Sequence, residues 1–237
     1  MLCRGKRDKA GRTADGVLLS HSAGASDAIL NSCCTRLPLR PIEDRMKIGV
    51  LALQGDFDAH RRRLEELGAE VVLVKKPEQL NDIDGLIIPG GESGTFLKLL
   101  GEDGFAKLKD FVRVKPTFGT CAGCILLATE VENPKQAGLG GLDITVRRNA
   151  YGRQIDSSIR EGEFLNEPIE MVFIRAPKIE RVGSGVEVIA TEGENKDAVL
   201  VRKGQTLAAT FHPELSDDRR IHQYFLKLVA EGKRAKD

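Results

Sequence analysis

The sequence predicts an α/β protein in which helices cover a mostly parallel central sheet within a single domain. Three observations lead to this prediction. After Met46, short apolar runs alternate with amphipathic helical patterns, and the connections between them are short. The first run, residues 47–53, is almost continuously apolar, as expected of a strand buried on both faces. We find no internal repeat.

The chain changes character at Met46. Residues 1–45 hold eight Lys or Arg and five Asp or Glu, and they contain three of the five cysteines. They show no sustained period of either 2 or 3.6. The other 192 residues carry 28 basic and 30 acidic side chains. We interpret residues 1–45 as a disordered tail or an upstream-start extension, and residues 46–237 as the folded domain.

The elements after the first strand follow from local periodicity. Apolar residues recur at steps of three and four from Phe57 to Leu67, which predicts a helix that ends at Gly68. The remaining predicted strands are Val71–Val74, Leu86–Ile88, Pro116–Thr120, Asp143–Arg147, Glu170–Ile174, Glu187–Ala190, Ala198–Val201 and Thr206–Phe211. The remaining predicted helices are Thr95–Leu100, Phe105–Val112, Ala122–Thr129 and a closing helix over residues 221–229.

Composition excludes several function classes. The 36 Lys or Arg and 35 Asp or Glu leave a net charge of +1, so nothing electrostatic points to a nucleic acid or another polyanion as partner. No apolar run approaches the roughly 18 residues of a membrane helix. Five cysteines are a low and odd count, which favours a reducing, cytoplasmic compartment over a disulfide scaffold.

The strongest local motif is Gly-Thr-Cys-Ala-Gly at residues 119–123, between a predicted strand and a predicted helix. Small residues two before and two after Cys121 permit the tight strand-to-helix turn called a nucleophile elbow. The start of the helix would favour a thiolate there. The same residues contain a second pattern, because Cys121 and Cys124 form a C-x-x-C of the kind used by thiol–disulfide oxidoreductases.

A second motif, Phe-His-Pro-Glu at residues 211–214, follows the last predicted strand. Pro213 favours an extended His212, so that His212 and Glu214 point the same way and the carboxylate orients the imidazole. In a parallel sheet this pair can meet the elbow, which predicts a Cys–His–Glu triad. We interpret the other histidines of the domain, His60 and His222, as helix-face residues without a partner.

The third motif, Pro-Gly-Gly-Glu-Ser at residues 89–93, ends another predicted strand. Two glycines let backbone N–H groups approach a ligand oxygen, as the oxyanion hole of an acyl-transfer enzyme requires. A plain strand-to-helix loop has a similar composition. The three motifs together favour an active site at one edge of the sheet.

Together these residues resemble the class I (triad) glutamine amidotransferases, whose fold is a flavodoxin-like, three-layer arrangement. The likeness runs from Met46 to Glu231. Within this class, the chain is most similar to the glutaminase subunits of pyridoxal 5′-phosphate synthase. The segments that carry it are 53–55 (Leu-Gln-Gly), 89–93, 148–154 (Arg-Asn-Ala-Tyr-Gly-Arg-Gln), 173–177 (Phe-Ile-Arg-Ala-Pro) and 211–215.

The resemblance implies hydrolysis of L-glutamine to glutamate and ammonia, with the ammonia passed to a synthase subunit in a large hetero-oligomer. It implies a catalytic triad of Cys121, His212 and Glu214, and a partner interface at Gln54. The implied substrate-binding residues are Gly91, Glu92, Ser93, Arg148, Ile174 and Arg175, and the implied oxyanion hole comprises Gly90, Gly91 and Ala122. No metal or cofactor is expected, since pyridoxal phosphate would be the partner's product.

Two features depart from the family pattern. Residues 1–45 have no counterpart in it, and Cys124 replaces the usual aliphatic residue. Because Cys124 lies three residues after Cys121, we hypothesise that mild oxidant inactivates the enzyme reversibly by pairing the two cysteines.

Three alternatives stay open: a thiol–disulfide oxidoreductase, a non-catalytic binding protein, and a glutaminase feeding a different synthase. The complete triad argues against the first two, and segments 148–154 and 173–177 favour the vitamin B6 branch.

Overall fold

The computed structural model describes residues 46–150 and 157–234, which lie in one compact unit. The interpretation of residues 1–45 as a tail therefore lies outside the described residues, and so do residues 151–154 of the segment that begins at Arg148. Within the described part of the chain, no helix is long and apolar enough to cross a membrane.

Twelve described strands and four described α-helices make up the domain. The strands are β1 (Lys47–Leu51), β2 (Glu70–Val74), β3 (Gly85–Ile88), β4 (Thr117–Thr120), β5 (Ala128–Glu132), β6 (Leu142–Arg147), β7 (Ser157–Phe164), β8 (Glu167–Ile174), β9 (Lys178–Val182), β10 (Glu187–Glu192), β11 (Asp197–Lys203) and β12 (Thr206–Ala209). The helices are α1 (Phe57–Glu66), α2 (Ser93–Val114), α3 (Ala122–Leu127) and α4 (Arg220–Arg234), and two 3-10 segments cover Pro77–Asp82 and Pro213–Leu215.

Nine strands form the central sheet in the order β2-β1-β3-β4-β12-β11-β10-β7-β8. The pairs from β2 through β12 are parallel, and those from β12 to β8 are antiparallel. A second, three-stranded sheet has the order β5-β6-β9. The α/β class is thus confirmed, and the parallel half places the carboxyl ends of β1, β3, β4 and β12 at one edge.

The parallel strands are buried on both faces, which explains their continuous apolar runs. Ile87 of β3 packs in one core cluster with Leu64 of α1 and Phe225 of α4. Its neighbour Ile88 packs in a second cluster with Phe96 of α2. Side chains alternate across a strand, so α1 and α4 cover one face of the sheet while α2 and α3 cover the other. This is the three-layer arrangement that the resemblance implied.

Three strands were not predicted, namely β5, β7 and β9. The predicted helix Ala122–Thr129 is also too long, because α3 ends at Leu127 and β5 begins at the next residue. Strand β7 is polar on its exposed positions and pairs with β8 across a two-residue turn in which Leu165 and Asn166 have positive φ. That turn lacks the Gly that usually marks such hairpins in a sequence.

Candidate active site

Cys121 lies at a strained turn between β4 and α3. Its φ of 48° and ψ of −101° are unusual for a non-glycine residue, and its N–H donates to the Ala209 carbonyl of β12 at 2.8 Å. A Cβ on Gly123 would collide with the Ile88 carbonyl, and one on Gly119 would press on Gly123. The small residues around Cys121 therefore allow the elbow, as the sequence predicts.

His212 and Glu214 follow β12 and form a short, buried contact. Nδ1 of His212 lies 2.7 Å from Oε1 of Glu214, and the two residues are 3% and 2% exposed. The route differs from the predicted extended segment, because Pro213–Leu215 is a 3-10 turn. The His212 N–H also donates to the Val172 carbonyl at 2.8 Å, which ties the turn to β8. The carboxylate nevertheless lies within hydrogen-bond distance of the imidazole.

Burial and the neighbouring side chains shift the pKa of His212 in opposite directions. Burial lowers its pKa, but interactions with the Cys121 and Glu214 side chains outweigh burial and raise the pKa to about 10. Burial raises the pKa of Glu214, while its hydrogen bond to His212 partly opposes that change. Nδ1 of His212 is occupied by Glu214, and Nε2 is buried without a hydrogen-bond partner among the described residues. Nε2 is therefore the atom available for proton transfer.

One cavity of about 170 Å³ collects most of the site residues predicted from the sequence. Of the triad, Cys121 and His212 line it, whereas Glu214 lies behind His212. All six candidate substrate-binding residues line it. The full lining is Asp56, Gly91, Glu92, Ser93, Cys121, Ile125, Arg148, Asn149, Ile174, Arg175, Pro177 and His212.

The glycine loop after β3 packs against the triad. Strand register sets Ile88 opposite Gly119, so this loop and the elbow leave the sheet side by side. A Cβ on Gly90 would collide with the His212 ring, and Gly91 has a φ of +137°, which favours glycine. Ala122 is fully buried at the first position of α3. Of the three residues predicted for the oxyanion hole, Gly90 thus lies against His212, Gly91 lines the cavity with Cys121, and Ala122 follows Cys121 in the chain.

Glu92 and Arg148 form an ion pair at the cavity. Arg148 Nη2 lies 2.8 Å from Glu92 Oε1, and Oε2 of Glu92 accepts from the N–H of Thr95 at 2.6 Å, which caps α2. Burial raises the pKa of Glu92, but hydrogen bonds from Gly94 and Thr95 and the charge of Arg148 lower it below the usual value. Glu92 therefore carries a negative charge at neutral pH.

Gln54, in the loop after β1, holds the glycine loop. Its amide Nε2 donates to the Glu92 carbonyl at 2.9 Å, and its Oε1 accepts from the Glu92 N–H at 3.2 Å. A Cβ on Gly91 would press on the same side chain. Gln54 is thus positioned to set the conformation of the loop predicted to supply the oxyanion hole.

Sequence reasoning missed four residues that line the cavity: Ile125, Asp56, Asn149 and Pro177. Asp56 lies 3.9 Å from Nδ1 of His212. Asp56 lies in the loop after β1, two residues after Gln54, and this position in the sequence could have identified it as a site residue. Asn149 follows Arg148 with a φ of +51°, and its position within the segment that begins at Arg148 is the corresponding signal.

The interpretation of His60 and His222 as helix-face residues without a partner is wrong. Both are fully buried, and Nδ1 of His60 lies 3.0 Å from Nε2 of His222. Nε2 of His60 lies 3.2 Å from Oε2 of Glu214. Periodicity placed each histidine on a helix correctly, but it could not show that α1 and α4 cover the same face of the sheet and meet beneath the triad.

Residues 50–231 match the model of the SNO glutamine amidotransferase family. The chain belongs to this family. A relative from Koribacter versatilis, named pyridoxal 5′-phosphate synthase subunit PdxT, is 65% identical over 189 residues, which cover 79% of this chain and 97% of that protein. The Thermotoga petrophila protein of the same name is 52% identical, with 78% and 100% covered.

A solved structure of higher identity agrees with this assignment. A crystal structure described as a glutamine amidotransferase has a TM-score of 0.72 and 46% sequence identity, covering 77% of this chain and 98% of that one. The Thermotoga maritima PurLQS structure, with a TM-score of 0.61 and 17% identity, shows a likeness of fold alone.

For a member of this family, the C-x-x-C pattern has a structural explanation. Cys121 and Cys124 are both free, and Cys124 is fully buried on α3. Burial raises the pKa of the Cys124 thiol far above its ordinary value, so the thiol stays protonated and is a poor redox partner. The comparisons give the thiol–disulfide alternative no support.

The described residues contain one group with the composition of a metal site. Asp56, His212 and Glu214 bring three potential ligand atoms within 4.8 Å of one another. His212 offers Nδ1 to this group, and that atom is already bonded to Glu214. We therefore interpret the group as the acidic surroundings of the imidazole, and the expectation that no metal or cofactor is needed stays a prediction.

Proposed function

We propose that this chain hydrolyses L-glutamine to L-glutamate and ammonia through a thioester on Cys121, with His212 and Glu214 completing the triad. The observation that carries the proposal is the placement of Cys121 and His212 on one cavity, with Nδ1 of His212 2.7 Å from Glu214. Family membership gives the reaction class, and the geometry supports the role that we assign to each residue.

The reaction begins when Sγ of Cys121 attacks the carboxamide carbon of glutamine. The thiol proton passes to Nε2 of His212 before this attack, which leaves the sulfur as the nucleophile, and Glu214 stabilises the imidazolium through Nδ1–H. The C–N bond then breaks as His212 returns this proton to the leaving nitrogen, which departs as ammonia. Water, deprotonated by His212, attacks the thioester to give glutamate and restore the thiol. The pKa of His212 of about 10 supports a protonated imidazole at neutral pH.

Backbone amides supply the oxyanion hole in this proposal. The tetrahedral intermediate carries a negative oxygen, and preorganised N–H groups stabilise such a charge strongly in a site shielded from water. Gly90, Gly91 and the Ala122 amide are the donors we assign. Their support is proximity: Gly90 packs on the His212 ring and Ala122 directly follows Cys121.

Charged side chains at the cavity would bind the two ends of the amino acid. Glu92 suits the ammonium group, and Arg148 or Arg175 suits the carboxylate through charge-assisted hydrogen bonds. Gly91, Ser93 and Ile174 would complete the contacts with glutamine. All six residues line the cavity that also contains Cys121, which supports this assignment.

We infer from the names of the relatives that the ammonia feeds a partner subunit of pyridoxal 5′-phosphate synthase. The large hetero-oligomer is proposed from the family resemblance, and the cytoplasmic location from the low, odd count of five cysteines. Gln54 is assigned to the face that meets the synthase, and its two bonds to Glu92 would transmit that contact to the glycine loop. We also assign residues 46–237 as the amidotransferase domain, supported by the family match over 50–231.

The test measures ammonia released from glutamine with and without the cognate synthase subunit. We expect weak release alone and stimulation by the partner, with Cys121→Ala abolishing both. Cys124→Ala is the matched control, because it removes a thiol one helical turn away and should retain release. Ammonia production that persists in Cys121→Ala would contradict the proposal.

A further inference from the structure

Behind the triad, two buried histidines continue the line of polar contacts away from the cavity. His60 of α1 and His222 of α4 are both 0% exposed. Nε2 of His60 lies 3.2 Å from Oε2 of Glu214 and 3.1 Å from Oγ1 of Thr120, and Nδ1 lies 3.0 Å from Nε2 of His222. The ordered series is therefore His212, Glu214, His60, His222.

The second oxygen of Glu214 requires a donor. Oε1 accepts from Nδ1 of His212, but Oε2 is buried and has no regular hydrogen bond within the described residues. A carboxylate oxygen buried without a partner is costly, and the polar atom beside it is Nε2 of His60. A lone pair at that nitrogen would repel the carboxylate, whereas an N–H would stabilise it.

This requirement favours one pair of tautomers, and the Thr120 hydroxyl can accept from the same Nε2–H of His60. If Nε2 of His60 carries the proton, Nδ1 must accept, and Nε2 of His222 must donate to it. Burial lowers the pKa of His60 well below its ordinary value, and burial together with Arg63 lowers that of His222 to about 4. Both rings therefore stay neutral near pH 7, which keeps His60 in a single tautomer facing Glu214.

Helix α1 holds the turn of Glu214 at a second point. Arg63, three residues after His60, donates from Nε to the Glu214 carbonyl at 3.4 Å. Residues three apart lie on the same helix face, so one face of α1 contacts both the carboxylate and the backbone of Glu214. Helix α1 also begins two residues after Gly55, next to Gln54 of the proposed partner interface.

We propose that His60 is a positioning residue for the glutaminase reaction: its Nε2–H orients the Glu214 carboxylate and keeps it ionised, and His222 holds His60 in the required tautomer. The proposal rests on the function proposed above. His60 touches neither substrate nor the reacting atoms. It acts through Glu214 on His212, and removing it should slow proton transfer without weakening the binding of glutamine.

The test compares His60→Leu, His60→Gln and Phe225→Leu in complex with the synthase subunit. His60→Leu removes the donor, and we expect kcat to fall about tenfold to a hundredfold with KM within about twofold. His60→Gln keeps an N–H near Nε2 and should recover most of kcat. Phe225→Leu disturbs the same core without touching Glu214, so it should lower the Tm and leave kcat unchanged.

The pH profile separates positioning from packing. Among the described residues, the titratable groups that face His60 are His212 and Glu214 from the turn after β12 and His222 from α4. Arg63 of the same helix contacts the Glu214 carbonyl and acts on His222, and β4 contributes Thr120 and Phe118. Without the His60 donor, Glu214 protonates more easily, so the acid limb of kcat/KM should move to higher pH in His60→Leu and not in Phe225→Leu.

Nitrogen NMR of the imidazole rings tests the proposal independently of activity. We expect His60 of the wild-type protein to be the neutral Nε2–H tautomer between pH 6 and pH 8. An Nδ1–H tautomer would overturn the proposal, and so would equal losses of kcat in His60→Leu and His60→Gln with an unmoved acid limb. If wild-type protein with synthase releases no ammonia, the proposed function fails, while the tautomer still reports on the Glu214 contact.

Discussion

The guanidinium of Arg148 lies 2.8 Å from the carboxylate of Glu92, and both side chains line the cavity that contains Cys121. Each of these charged groups already has a partner of opposite charge within the protein. Glu92 also caps α2 through Thr95, so its position is held from two directions. An amino acid bound here, with an ammonium and a carboxylate of its own, would replace one ion pair by two.

The first prediction concerns this pair. Arg148→Gln removes the guanidinium proposed to bind the substrate carboxylate. We expect KM for glutamine to rise about tenfold or more while kcat changes little, because the contact is made equally in ground state and transition state. Steady-state kinetics with the synthase subunit measure this. Arg147→Gln is the control: Arg147 pairs with Glu180 outside the cavity, and its loss should leave KM unchanged. An unchanged KM in Arg148→Gln would remove Arg148 from the substrate site.

The second prediction follows from the charge of His212. Its pKa is raised to about 10, with Glu214 as one cause, so the imidazolium that returns a proton to the leaving nitrogen should persist until the pH approaches 10. Glu214→Gln removes that negative charge and lowers the pKa of His212. The basic limb of kcat/KM should therefore move to lower pH, and the maximum should fall.

The control for this pH shift is Asp56→Asn. Asp56 is half-exposed and lies 3.9 Å from Nδ1 of His212, farther than Glu214 at 2.7 Å. Solvent weakens its influence, so the basic limb should shift in the same direction by a smaller amount. A basic limb that does not move in Glu214→Gln would show that the imidazolium is not the proton donor.

How far the sequence predicts this fold is clearest from its two halves. In the parallel half, strands buried on both faces form continuous apolar runs. Strands β3 and β4 are found within one residue of their predicted bounds, and β1 ends two residues earlier than predicted. In the antiparallel half, β7 is exposed at alternate positions and carries charged residues, so its pattern resembles a polar loop. Pairing with β8, a tertiary effect, makes it a strand.

The candidate site shows the same division. Motifs at strand ends placed Cys121, His212 and Glu214 together, because the carboxyl ends of parallel strands share an edge. His60 and His222 could not be joined by this rule, since their contact depends on two helices packing on the same face. Local periodicity carries no information about which helices are neighbours in space.

The third prediction tests the packing beneath the elbow. Gly123→Ala would drive a Cβ into the Ile88 carbonyl, and we expect it to lower the free energy of unfolding by about 1–3 kcal/mol in urea titrations. Gly104→Ala, within α2, meets only ordinary contacts of 3.5 Å and should be neutral or stabilising by about 0.4–1 kcal/mol. Equal stability of the two variants would show that the turn at Cys121 can widen enough to accommodate a Cβ at residue 123.

The last prediction addresses oxidation of the elbow cysteine. Pairing Cys121 with Cys124 needs a thiolate to attack the oxidised partner, but Cys124 is fully buried and its pKa is raised by burial, so its thiolate is scarce at neutral pH. We therefore expect wild type and Cys124→Ala to lose glutaminase activity to mild peroxide at the same rate, and both to recover equally with a thiol reductant. Inactivation confined to the wild type, with a disulfide between residues 121 and 124 seen by mass spectrometry, would restore the redox hypothesis. Equal rates would instead mean that the oxidant acts on Cys121 alone, and that Cys124 occupies its place on α3 only as a small apolar side chain of the core.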